Sequence, residues 1–260
     1  MIFAARNKPV GVAHLSVVQD SATRRAAPVP LALQAEQLQG AVFYQDVRIP
    51  ASAFTFAGFR RWTRSPDFPE RGRISYIQGI IEVDMNADEI RDHNPLKNEF
   101  ITRLTNIIDN EDLGFVLSDG VRLVNEAGDV SNEPDLVFAT YEAVETGRCK
   151  YVESEDGSGR CVALDGTPDL VVEVVSKHSV RKDMFELPKA YFDAGIVEYW
   201  VIIPADDGVD FRLLTRGKNE FEAVPAGADG YVYSAILKRS FLMTRSVNRI
   251  GKYKYRLLYR

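Results

Sequence analysis

The sequence predicts an α/β fold: a mixed central β-sheet flanked by helices. Apolar residues recur at helical spacing in a segment opening at Asn94 and closing at Gly114, and a second helix, from Asp183 to Gly195, is marked by a capping-box-like start and a terminal glycine. Around and between them lie short runs rich in Val, Ile and aromatic residues, bounded by turn-forming residues. One run, Leu170-Val171-Val172-Glu173-Val174-Val175, is apolar on both alternating faces except at Glu173. That is the pattern of a strand covered on both sides, and helices alternating with such strands imply a mixed sheet.

The elements follow in order. Residues 1–45 lack clear periodicity and contain Ala26-Ala27-Pro28-Val29-Pro30, which reads as a loosely ordered N-terminal arm. The expected domain spans 46–260 and begins near Val47-Arg48-Ile49-Pro50. A helix carries Phe54, Phe56, Phe59 and Trp62, and Ile74 to Met85 form a hairpin turning at Gln78-Gly79. Asn94 is placed as a helix N-cap with Pro95 at the first helical position. Phe115 to Val124 is a strand pair or a bent strand, and Asp135 to Ala139 a further strand. Cys149 and Cys161 flank an Asp-Gly-Ser-Gly turn and could face each other across a hairpin as free thiols. Asp183 and Glu186 resemble a capping box. Val197 to Ile203 is a buried strand, Phe211–Leu214 and Phe221–Val224 a hairpin, and Tyr253 to Leu257 alternates as an edge strand does.

Composition is that of an ordinary globular protein, and the net charge of -5 gives no overall attraction to nucleic acid. No apolar run approaches the roughly 18 residues of a membrane span. Met1 to Val18 lacks the sustained apolar core of a signal peptide. The expectation is a cytoplasmic protein without a membrane partner. Two cysteines alone do not close a zinc site, which wants four ligands.

Chemistry centres on an echo. Pro134-Asp135-Leu136 and Pro168-Asp169-Leu170 each open an apolar run. Alternation places Asp169, Val171, Glu173, Val175 and Lys177 on one side of the second run. A carboxylate among valines needs a partner, because losing its hydration costs several kcal/mol. Glu173 is therefore held either by an Arg or Lys or by a cation shared with Asp135. Two acids on neighbouring strands suit Mg²⁺, which takes one or two protein carboxylates and keeps several waters. His93 reads as a ligand or proton shuttle, or as a surface or capping residue. Glu82 reads as an early acid of the site or a solvent-facing strand residue. Glu99 is similarly ambiguous and could pair with Lys97. Asp169 reads as a turn-capping carboxylate and Tyr199-Trp200 as core packing.

The segment from Ile49 to Arg216 resembles the Uma2 (DUF820) family of the PD-(D/E)XK nuclease superfamily. The matching pieces keep the family's order: Gln78-Gly79-Ile80-Ile81-Glu82, His93, Glu133-Pro134-Asp135-Leu136-Val137, Pro168 through Ser176, Asp183, and Tyr191 through Ala194-Gly195-Ile196-Val197-Glu198-Tyr199-Trp200. The resemblance implies a restriction-endonuclease-like fold, a Mg²⁺ (or Mn²⁺) site on Asp135 and Glu173 with Glu82 as a further acid, and DNA as substrate. The superfamily's lysine two residues past the second acid is here Val175. The position to which the family moves that lysine is Leu187. Lys182, Lys189 and Lys177 lie nearby, and Lys182 is preferred because the helix start can face the acids.

From Lys238 to Arg260 there are eight basic residues, no acidic one, and interleaved aromatics, which read as a phosphate-binding surface or a guarded edge strand. The expected reaction is Mg²⁺-dependent hydrolysis of a DNA phosphodiester by Asp135, Glu173, Lys182 and His93, in a protein able to form a homodimer. The alternative is a catalytically impaired nuclease fold that binds DNA or protein.

Overall fold

The computed structural model describes residues 47–69, 71–86, 92–118, 120–155 and 157–260; the expected arm, residues 1–45, lies outside them. Chain order is α1 (Phe56–Thr63), β1 (Arg73–Ile77), β2 (Ile80–Asp84), α2 (His93–Asn110), β3 (Gly114–Ser118), β4 (Arg122–Asn125), β5 (Val130–Asn132), β6 (Leu136–Thr140), α3 (Tyr141–Glu145), β7 (Cys149–Glu153), β8 (Cys161–Gly166) and β9 (Leu170–Val174). A π-helical turn, Lys182–Glu186, then runs into α4 (Leu187–Asp193). The chain ends in β10 (Glu198–Ala205), β11 (Gly208–Arg216), β12 (Phe221–Ala223), β13 (Val232–Ser234), β14 (Arg239–Val247) and β15 (Tyr253–Tyr259).

The main sheet is mixed, in the order β12-β11-β10-β9-β6-β3, with β9 and β10 parallel and the other neighbours antiparallel. A second six-stranded sheet runs β2-β1-β5-β4-β8-β7, and β13-β14-β15 form a third. One face of the main sheet (Leu136, Phe138, Val172, Trp200) packs on α2 and the third sheet. The other face (Val137, Val171, Tyr199, Val201) packs on the second sheet and α4. Cover on both faces explains why β9 is apolar at every position but one.

Several local expectations hold. The β1–β2 hairpin turns at Gln78-Gly79, whose φ values of 47° and 86° supply the twist a two-residue turn needs. Alternation along β9 also holds: Val171 and Val175 join the core beneath the second sheet, and Leu170, Val172 and Val174 the opposite one.

Others change. Helix α2 starts at His93 rather than after Asn94, so Pro95 sits inside the first turn, where its missing N–H has no intrahelical role. Asn94 instead accepts from Asn98 Nδ2 at 3.0 Å. The cysteines are free but do not face each other: Cys149 pairs with Gly166 and Cys161 with Glu153 across the hairpin. Asp183 is no exposed cap but 1% exposed, inside the π-helical turn.

Candidate active site

The β6–β9 register pairs Leu136 with Val172 and Val137 with Val171. Extending it by one step sets Asp135 opposite Glu173. Asp135 ends the approach to β6, and its Oδ2 accepts the Val174 N–H at 2.8 Å. That bond uses the peptide group at the end of β9 and locks the first acid to the strand that carries the second.

Glu173 is 2% exposed and held by a polar chain built from three elements. Ser75 Oγ on β1 donates to Asn132 Oδ1 at 2.6 Å. Asn132 Nδ2 on β5 donates to Glu173 Oε1 at 3.0 Å and to Tyr191 Oη at 2.8 Å. The Tyr191 hydroxyl on α4 donates to the same Oε1 at 2.9 Å. Among the described residues Oε2 has no hydrogen bond. Burial pushes the Glu173 carboxyl up to about 8; Asp183 and Asp135 add to the rise, while Lys182 and the Tyr191 hydroxyl oppose it.

Lys182 stands at the start of the π-helical turn, 3.5 Å from Asp183 Oδ1. Burial pulls its pKa down, but Glu173, Asp183 and Asp135 outweigh burial and hold the ammonium above its ordinary value. Lys182 therefore stays charged among three acids. Lys177 and Lys189 are exposed, and Lys189 pairs with Asp193 at 2.5 Å. Of the three lysines singled out in sequence, Lys182 is the one brought to the acids. Leu187 and Val175, at the family's lysine positions, are 0% and 4% exposed core residues.

His93 opens α2 with its Nε2 3.7 Å from Asp135 Oδ2. Glu82, on β2, sits beside Glu186 and Lys182. Burial raises its carboxyl, and Glu186 reinforces the rise. Glu99 faces β15, accepting from Arg103 Nε at 2.9 Å and the Leu257 N–H at 3.1 Å. Asp169 serves structure: it accepts from Thr140 N–H at 2.8 Å and from Arg148 at 2.6 Å.

Sequence reasoning missed Lys97, Arg73 and Asn132. Lys97 Nζ lies 3.7 Å from Asp135 Oδ1 and Arg73 Nη1 lies 3.8 Å from the same oxygen. Lys97 thus turns to Asp135 rather than to Glu99. A signal existed for Lys97: it follows His93 by four residues, hence on the same helix face. No local signal marked Asn132 or Arg73, which reach the site through sheet pairing.

The described residues contain no group of three His, Cys, Asp or Glu side chains able to cage a metal. Two opposed carboxylates, with Glu173 Oε2 left without a hydrogen bond, instead match the sparse protein ligation that Mg²⁺ accepts. The donor set therefore fits a hard divalent cation.

The fold has a counterpart among solved structures. The crystal structure of a protein from Anabaena variabilis ATCC 29413, described as "a putative nuclease belonging to DUF820", superposes with a TM-score of 0.52 at 17% identity, covering 71% of this chain and 90% of that chain. The chain belongs to the Uma2 family, described as "Putative restriction endonuclease", whose model matches residues 56–229. No curated protein matches it.

Proposed function

We propose that this protein is a Mg²⁺- or Mn²⁺-dependent endonuclease that hydrolyses phosphodiester bonds in DNA. The observation that carries this reading is the opposition of Asp135 and Glu173 across β6 and β9, with a half-buried lysine, Lys182, beside Glu173. Bound between those acids, the metal would lower the pKa of a coordinated water and offset phosphate charge.

The chain's own residues do the rest. The Val174 N–H orients Asp135, and Asn132 with Tyr191 orients Glu173. Lys182, kept charged by its acids, stabilises negative charge developing on the phosphate. Hydrolysis divides one water across the ester: its oxygen bonds to phosphorus, the ester P–O bond breaks, and a water proton ends on the departing oxygen. In this reading His93, 3.7 Å from Asp135, passes that proton. No helix among the described residues is long and apolar enough to cross a membrane.

The test is cleavage of supercoiled plasmid with Mg²⁺ or Mn²⁺ by the wild type, Asp135→Ala, Glu173→Ala and Lys182→Met. Loss of at least two orders of magnitude in each variant is expected, whereas Lys189→Met should match the wild type. Cleavage that survives both acid substitutions would place the chemistry elsewhere. A second reading, a DNA- or protein-binding module without turnover, is favoured by the apolar core residues at positions 175 and 187. Under it the wild type binds DNA but leaves the plasmid intact.

A further inference from the structure

We infer that Lys97 is a second catalytic cation, one that contacts the scissile phosphate from the Asp135 side; the inference rests on the nuclease reading above. Lys97 is 2% exposed, and its Nζ stands 3.7 Å from Asp135 Oδ1. An ammonium withdrawn from water this completely is costly, and such groups concentrate where charge has to be met. Among the described residues, no other lysine is paired with Asp135 within 4 Å. The strand position is Val175 and the helix position Leu187, both in the core, and Lys177 and Lys189 are exposed. Lys182 answers first to Glu173 and Asp183 and only then to Asp135. The acids are therefore bracketed, Glu173 by Lys182 from the π-helical turn and Asp135 by Lys97 from α2.

The oxygen Lys97 faces is significant. Asp135 Oδ2 is taken by the Val174 N–H, whereas among the described residues Oδ1 has Lys97 and Arg73 beside it at 3.7 and 3.8 Å. Oδ1 is the oxygen a divalent ion would share. Were a divalent ion held there, Lys97 would stand beside the phosphate that the ion binds. Phosphoryl transfer spreads negative charge over those oxygens, so a pre-placed ammonium binds the transition state more tightly than the ground state. Lys97 keeps its protons throughout. Only its ion-pair partner changes, while the water–phosphorus bond forms and the ester bond breaks as above. The competing role is a structural counter-ion that does no more than hold Asp135.

Full-length Lys97→Met, Lys97→Gln and Lys97→Arg separate the two. Each is followed by single-turnover DNA cleavage, Mn²⁺ binding by electron paramagnetic resonance, and thermal melting. If Lys97 contacts the phosphate, the Met variant melts as a folded protein and binds Mn²⁺ within about threefold of the wild type. Its cleavage rate falls roughly 100-fold, a typical loss for one charge-stabilising donor, and Arg recovers part of it. Should Met prevent folding, Gln, which keeps a polar tip without the charge, is read the same way. Cleavage by the Met or Gln variant within threefold of the wild type overturns the inference and leaves the nuclease reading intact. So does a loss of Mn²⁺ affinity as large as the loss of rate, which would confine Lys97 to holding Asp135. A wild type that binds Mn²⁺ but cuts no DNA overturns the nuclease reading, and the inference with it.

Discussion

Tyr191 donates its hydroxyl to Glu173 Oε1 at 2.9 Å, and Asn132 Nδ2 reaches the same oxygen at 3.0 Å. Two donors on one oxygen fix the carboxylate's rotation and leave Oε2 without a competing bond. Tyr191 can do this because α4 is pressed against the β4–β5 turn: a Cβ on Gly128 would lie 2.5 Å from the Ala190 carbonyl oxygen. Tyr191→Phe removes one donor with little change of shape. Its expected cost in stability is about 1 kcal/mol by urea denaturation. The larger expected effect is on metal use: the Mn²⁺ concentration for half-maximal cleavage should rise about tenfold, which is roughly 1.4 kcal/mol of lost affinity. An unchanged Mn²⁺ requirement would show that Glu173 does not depend on this bond.

The Glu173 carboxyl, pushed up to about 8 by burial and by Asp183 and Asp135, makes stability depend on pH. Its unfolded counterpart loses its proton near 4.5. Between those values the folded chain holds a proton that the unfolded chain has released. The stabilisation is fully present below the unfolded value and is lost as pH rises through the folded one. Buried Asp183 and half-buried Glu82 are raised as well and push the same way. Metal-free protein should therefore lose urea resistance between pH 5 and pH 8.5. Glu173→Gln, which copies the neutral acid, should reduce that slope. The same slope in the variant would assign the effect to other groups.

Metal binding should reverse that trend, because a hard cation competes with the proton for Glu173. Millimolar Mg²⁺ or Mn²⁺ is expected to raise the melting temperature more at pH 8.5 than at pH 6. An ion present at ten times its dissociation constant adds about 1.4 kcal/mol of stability. Asp135→Asn should abolish the shift, and a chelator should return the wild type to its metal-free melting temperature. An equal shift in Asp135→Asn would locate the ion away from this site.

Much of this arrangement was legible in the residues. The valine run around Glu173 announced a doubly covered strand, alternation placed Val171 and Val175 on the Glu173 side, and Lys182 was placed beside the acids. The first two rest on short periodicities that the chain itself carries; the third rests on the family resemblance and on the helix start facing the acids. The polar shell was not legible in the same way. Asn132 closes a three-residue strand, and its role arises only when β5 pairs with β1 and α4 folds over both. Arg73 is likewise an ordinary strand-opening residue until sheet pairing brings it to Asp135. The C-terminal basic run was legible as charge but not as pairing. Arg239 meets Glu111, Arg260 meets Asp229, and Arg245 reaches the carbonyl oxygens of Ala205 and Asp206 at 2.5 and 2.7 Å. Several of its cations thus hold the third sheet to the body.

Glu198 shows how firmly that third sheet is attached. It opens β10 with 1% exposure, and its two oxygens accept four hydrogen bonds. The Ala235 and Ile236 N–H groups reach Oε1 at 2.8 and 3.1 Å. Ser234 Oγ and Trp200 Nε1 reach Oε2 at 2.7 and 3.0 Å. A carboxylate is the side chain suited to four donors, since both ends only accept. In Glu198→Gln the amide nitrogen would face two donors, and in Glu198→Ala four buried donors would lose their acceptor. The expected cost is about 2 kcal/mol for Gln and about 4 kcal/mol for Ala. Because β15 of the same sheet packs on α2, which carries His93 and Lys97, the loss should extend to the site. Hydrogen exchange should show β13–β15 opening first, and cleavage by Glu198→Gln should fall at temperatures well below global melting. A sheet that stays protected in Glu198→Ala would mean that the apolar contacts of Phe241, Tyr255 and Leu257 hold it without the glutamate.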